Sequence, residues 1–159
     1  MPEPPPRARF NPYFNPQFNP QFNPKGNALL NPLFNPILNP QKNPKISQKF
    51  HRSWDPLFNA LLNPRDNVTL DPKLTDRFSG LCRWSPDGEL TGYVVNAPEK
   101  AVILLFNPDL EWTAYAVDNQ RQGYNIFDLE GEWAGYILPS AGGYLNEFNL
   151  DADWVAIIM

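Results

Sequence analysis

One cysteine, one histidine and two methionines in 159 residues leave little material for thiol or soft-metal chemistry. Cys82, being alone, excludes an intrachain disulfide and suits a reducing compartment; on its apolar run it reads as a small buried hydrophobe. His51 has no Cys or second His at a ligand spacing, so a structural role is expected of it. The chain has no phosphate-cradling glycine loop, no H-E-x-x-H and no Ser/His/Asp set that spacing would identify. Catalytic residues, metal and cofactor are therefore expected to be none, and the protein is not expected to be an enzyme. No hydrophobic run approaches a membrane span, and MPEPPPRARF lacks an apolar h-region. A soluble cytoplasmic protein is expected, in which the Asn67-Val68-Thr69 sequon is incidental.

What is abundant is proline, 19 residues of it, set into a four-residue beat of Asn/Asp-Pro-any-apolar. From Asn11 to Leu74 the chain reads NPYF NPQF NPQF NPKG NALL NPLF NPIL NPQK NPKI SQKF HRSW DPLF NALL NPRD NVTL DPKL, with no insertion or deletion. Proline at this spacing removes backbone donors and excludes α-helix and central strand alike. Asn before Pro favours a β-turn, because the Asn side chain bonds the backbone two residues on and Pro presets φ. Asn11, Asn15, Asn19, Asn23, Asn31, Asn35, Asn39 and Asn43 are accordingly read as turn-forming. Each also precedes a proline, which re-extends the chain between turns.

In a ribbon of such turns every fourth position is expected to be equivalent. Fourteen of the seventeen fourth positions from Phe14 to Phe78 are apolar, the exceptions being Gly26, Lys42 and Asp66. The third position is mixed and is expected to face water in part. Burying the apolar stripe alone falls short of the entropy of ordering the arm. The arm is therefore expected to lie along a partner: its own C-terminal half, another copy, or a different protein. The expected partner-binding residues are Phe14, Phe18, Phe22, Leu30, Phe34, Leu38, Phe50, Trp54 and Phe58. NPYF, NPQF and NPLF also resemble the NPxY/F peptides that PTB-type domains bind as a β-turn following an added strand, which implies an adaptor-ligand role for a few tetrads.

Beyond residue 79 the composition changes: every glycine but Gly26 and four of the five tryptophans lie there. Four segments align, RWSPDGELTGYVV (83–95), LFNPDLEWTAYAV (105–117), IFDLEGEWAGYIL (126–138) and EFNLDADWVAIIM (147–159). Each sets aromatic and β-branched residues around a short polar turn, the signal of a β-hairpin. Short links make an antiparallel meander of about eight strands, expected as a barrel, a sandwich or an open sheet. The small residue in each copy (Gly92, Ala114, Gly135, Ala156) suggests close backbone approach, and the apolar VAIIM end is expected to be buried. RWSPDGELTGYVV resembles the WSPDG strand-turn-strand of TolB-type β-propeller repeats. A blade needs about forty residues and a propeller at least four blades, so the likeness is shared hairpin chemistry and carries no function.

Charge divides with composition. Residues 1–54 carry seven Lys and Arg against Glu3, a net of +6, whereas residues 83–159 carry three against twelve carboxylates, a net of −9. Attraction between the halves, within or between chains, should weaken with salt. A basic arm with regular aromatics also admits a nucleic-acid reading, which seven cations over 54 residues make sparse. The alternating run Asp128, Glu130, Glu132 lacks the length and closing Glu of a calcium loop. The expected architecture is all-β: a Pro-rich tail (1–10), a turn-repeat arm (11–78) and a four-hairpin domain (79–159), with essentially no α-helix. The expected function is that of a structural, linker or scaffold protein acting through protein partners or self-association.

Overall fold

Eight antiparallel strands close into a barrel in chain order, which resolves the choice among barrel, sandwich and open sheet. They are β1 (Leu81–Trp84), β2 (Leu90–Asn96), β3 (Val102–Phe106), β4 (Trp112–Asp118), β5 (Tyr124–Asp128), β6 (Trp133–Pro139), β7 (Leu145–Asn149) and β8 (Trp154–Ile158). The computed structural model describes residues 15–99, 101–140 and 142–159. Among them the helical elements are three-residue 3-10 turns, and no helix is long and apolar enough to cross a membrane.

Each of the four aligned segments forms one hairpin: β1–β2, β3–β4, β5–β6 and β7–β8. The turns share one construction. Asn107, Asp128 and Asn149 each accept two N–H groups, from the residues two and four further on, through one side-chain oxygen. The fourth turn residue then swings to positive φ: Gly88 (88°), Leu110 (64°), Gly131 (83°) and Ala152 (64°). A tight turn followed by one left-handed residue matches the twist of paired strands. Glycine serves that position in two copies, and Leu110 and Ala152 hold it against their own Cβ.

The strand register shifts at one equivalent step in every hairpin, beside Trp84, Phe106, Phe127 and Phe148. Opposite these aromatics, Thr91, Thr113, Ala134 and Val155 are passed over in the pairing. These β-bulges strengthen the local twist, as a small barrel requires. The shared small residue follows directly. A Cβ on Gly92 or Gly135 would collide with the carbonyl oxygen of Phe106 or Phe148 on the next strand. Three tryptophans fold back over the bulge, each donating its indole N–H to the small residue two positions on: Trp112 to Ala114 (2.8 Å), Trp133 to Gly135 (2.9 Å) and Trp154 to Ala156 (2.9 Å).

Register assigns the two faces of the sheet. Val94, Ile103, Leu105, Ala116, Ile126, Ile137 and Ile158 form a buried cluster that no residue of the tetrad segment joins. Only the inside of the closed barrel can bury them. Arg83 and Glu147 share that face, since Arg83 pairs with Gly92 and Ile158, and Glu147 with Ile137 and Ala156. They fill the slots that Leu105 and Ile126 occupy in the other two copies. Arg83 Nε donates to Glu147 Oε1 at 2.7 Å and Nη2 to Oε2, while Nη1 donates to Thr91 Oγ1 at 2.8 Å. Burial opposes the Arg83 charge, but the carboxylate outweighs it and holds its pKa above the ordinary value. The ion pair spans β8, where the first and last copies meet and close the ring.

The outer face carries the large aromatics, and the tetrad segment covers it. Trp54 packs against Tyr115 with ring centroids 5.3 Å apart, and Phe78 meets the edge of Tyr93 at 5.5 Å. Leu62 and Leu70 join the same cluster, and Phe22 packs on Tyr136, Leu138 and Phe148. The apolar end Trp154–Ile158 divides between faces, Ile157 outward beneath this cover and Ile158 in the lumen.

Candidate docking surface

From Asn15 to Asp71 every first-position Asn or Asp except Asn35 accepts the backbone N–H two residues on, at 2.9–3.2 Å. Thus Asn15, Asn19, Asn23, Asn31, Asn39 and Asn43 cap their turns, and Asn11 lies outside the described residues. Asn35 spends its side chain differently: its amide donates to the Leu29 carbonyl at 3.0 Å. That second bond reveals the true unit. Asn27, Asn35, Asn43, Asn59 and Asn67 each reach the carbonyl six residues back, whereas the intervening first positions show no such bond. The repeat is eight residues, two tetrads, joined by an amide ladder. At His51, which stands where the ladder Asn belongs, Nε2 lies 3.0 Å from the Pro44 carbonyl and the ring stacks on Trp54.

The expectation that every fourth position is equivalent is therefore corrected. Successive apolar side chains point alternately toward the barrel and away from it. Of the residues expected to bind a partner, Phe22, Leu30, Leu38 and Trp54 are 0–5 % exposed, whereas Phe18, Phe34, Phe50 and Phe58 are 63–75 % exposed. Phe14 lies outside the described residues. The two tetrads also close differently. After each inward residue from Phe22 to Leu70 the next N–H bonds back three residues (Asn23 to Pro20, Asn31 to Ala28, Asn39 to Pro36), a 3-10 closure. Several outward tetrads close four residues back instead (Asn19 to Asn15, Asn35 to Asn31, Asn59 to Asp55). Prolines of the outward tetrads (Pro16, Pro24, Pro32, Pro40, Pro56, Pro64, Pro72) are buried, and those of the inward tetrads (Pro20, Pro36, Pro44) are exposed. The third position, expected to be partly wet, is exposed in all described tetrads.

The tetrad segment, a coil of successive short turns, is pinned to the barrel by polar bonds as well. Leu30 O accepts from Asn125 Nδ2 at 3.2 Å, Gln48 Nε2 donates to Leu129 O at 2.9 Å, and Gln17 Nε2 donates to Ala152 O at 2.8 Å. Gln41 reaches Glu132 at 3.0 Å and Lys25 lies 3.5 Å from Asp151. Burial beneath the coil pushes the Tyr115 and Tyr136 hydroxyls up, with the Gln48 backbone N–H opposing this at Tyr115. The Trp54 indole N–H and the Tyr136 hydroxyl are buried there with no hydrogen-bond partner among the described residues. Contact loosens at Ile46, which is only half-buried, beside a cavity of about 630 Å³ lined by Leu38, Ile46 and Val117.

Two groups of apolar side chains close in sequence stand exposed on the coil, Leu33, Phe34 and Ile37, and Leu57, Phe58 and Leu61. Between them lie exposed Lys42, Lys45, Lys49 and Arg52, the last with its guanidinium 4.8 Å above the Phe58 ring. Scattered apolar residues on a surface are ordinary, but a contiguous series is not. Cys82 is buried and its thiol pushed up by burial, and among the described residues no three His, Cys, Asp or Glu side chains gather as a metal site would need. Comparisons with family models, with curated proteins and with solved structures yield no match to this chain.

Proposed function

We propose that the protein is a non-enzymatic scaffold whose coil uses alternate tetrads for two tasks. The inward residues fasten the coil to its own barrel. The outward residues dock onto an extended or repeated protein surface. The observation that carries this reading is the contrast between neighbours: Leu38 is 5 % exposed, and Phe34, four residues earlier at the same place in its tetrad, is 74 % exposed. Leaving such side chains in water wastes hydrophobic free energy unless something covers them.

Site-specific photo-crosslinking in the source cells tests it. A crosslinker at position 34 or 58 should form protein adducts, and one at the inward position 38 should link only within the chain. Phe34→Ser with Phe58→Ser should retain the fold and remove the adducts of a crosslinker placed at Phe18 or Phe50. Adducts with nucleic acid, accompanied by steep salt dependence and sensitivity at the lysines, would replace this reading with a single-strand interface.

A further inference from the structure

We infer that the surface covering the outward face is a second copy of this chain, whose two unengaged acidic hairpin turns dock on the basic centre of the coil. The inference rests on the outward face being the working surface. Its basis is a contact that each molecule already makes with itself. All four hairpin turns lie at one end of the barrel and carry carboxylates at two equivalent positions, Asp87 and Glu89, Asp109 and Glu111, Glu130 and Glu132, Asp151 and Asp153, with Asp128 a third in the third turn. The third and fourth turns are occupied by the chain's own coil, through Gln41 on Glu132, Gln48 on Leu129 O, Lys25 on Asp151 and Gln17 on Ala152 O. The first and second turns have the same construction and, among the described residues, no such contact. Their carboxylates are exposed.

The complementary surface is equally unoccupied. Lys42, Lys45 and Lys49 are exposed and form no ion pair among the described residues, and no carboxylate intervenes on the coil between Asn15 and Ser53. Within one molecule Asp118 lines a groove with Lys42 and Lys45, and Glu130 one with Lys49, but neither forms an ion pair with them; the exposed acidic turns of one copy supply the carboxylates that the coil of another lacks. Half-buried Leu110 and Trp112, beside Asp109 and Glu111, supply apolar surface for the outward Phe50 flanked by Lys49. Coil-to-coil association is disfavoured, because it would set these cations against each other. A contact between two different patches repeats from copy to copy, closing into a ring or running on as a filament according to its rotation.

The test is a charge exchange on the full chain, read by sedimentation and light scattering over a range of concentrations at low and at moderate salt. Wild type should gain mass with concentration at low salt, with affinity falling about tenfold or more at moderate salt. A coil variant, Lys42→Glu with Lys45→Glu and Lys49→Glu, and a turn variant, Asp87→Lys with Asp109→Lys and Glu111→Lys, should each stay monomeric. Mixing the two should restore assembly, because each then carries the charge that the other lacks. All substituted side chains are exposed, and near-UV circular dichroism verifies the fold of each variant. A wild type that stays monomeric overturns the inference and leaves the outward face to a different protein. Assembly that survives in both variants also overturns it. Assembly that additionally ignores Phe34→Ser with Phe58→Ser removes the outward face as the working surface.

Discussion

At the scale of single residues, the informative positions are those that break a repeat. Ala152 holds a left-handed backbone that Gly88 and Gly131 adopt freely in the equivalent turns. Ala152→Gly should raise stability by about 0.5–1 kcal/mol, visible as a higher denaturant midpoint at unchanged slope. Arg83 and Glu147 break the lumen pattern together. Removing one, by Arg83→Leu, should cost roughly 3–5 kcal/mol, because it strands the other charge in the barrel. The double change Arg83→Leu with Glu147→Ile, copying the second and third hairpins, should recover most of that loss in a double-mutant cycle. Both charges are plain in the sequence. Their pairing was not, because 64 residues separate them and only ring closure brings their strands to either side of β8.

At the scale of elements, the four hairpins were legible because their turn chemistry is local and fourfold. The closure into a barrel was not, since bulges scramble the period of two that distinguishes lumen from exterior. The eight-residue unit of the coil was legible but masked by a stronger period of four. All three non-apolar fourth positions, Gly26, Lys42 and Asp66, fall on outward tetrads, and the inward ones read Phe22, Leu30, Leu38, Ile46, Trp54, Leu62, Leu70 and Phe78 without exception. Proline is replaced at Ala28, Arg52, Ala60, Val68 and Asp76, all on inward tetrads where that position is exposed, and on outward tetrads only at Gln48. The unit predicts opposite responses four residues apart. Leu38→Ala should cost about 2–5 kcal/mol and Phe34→Ser no more than about 0.5, measured by thermal or urea unfolding.

At the scale of the whole molecule, each half buries apolar surface of the other. The barrel's exterior aromatics Tyr115, Phe127, Tyr136 and Phe148 are almost wholly buried only because the coil lies over them. Residues 79–159 alone should therefore bind a hydrophobic dye and aggregate at concentrations where the full chain remains dispersed. The covered phenols add a pH signature. Burial holds Tyr115 and Tyr136 above the ordinary phenol value, so they stay neutral in the folded state while the unfolded chain ionises near pH 10. Stability is complete below that pH and falls as pH rises beyond it, a trend that unfolding midpoints across the alkaline range will show.

The amide ladder also dictates which changes of length the gene can tolerate. Adding or deleting eight residues between Asn23 and Asn63 keeps every inward side chain in phase and merely lengthens or shortens the wrap. A change of four placed beyond Leu38 inverts everything upstream of it, setting Phe18 and Phe34 against the barrel and exposing Phe22 and Leu38. A length change that keeps the docked face should therefore come in double tetrads.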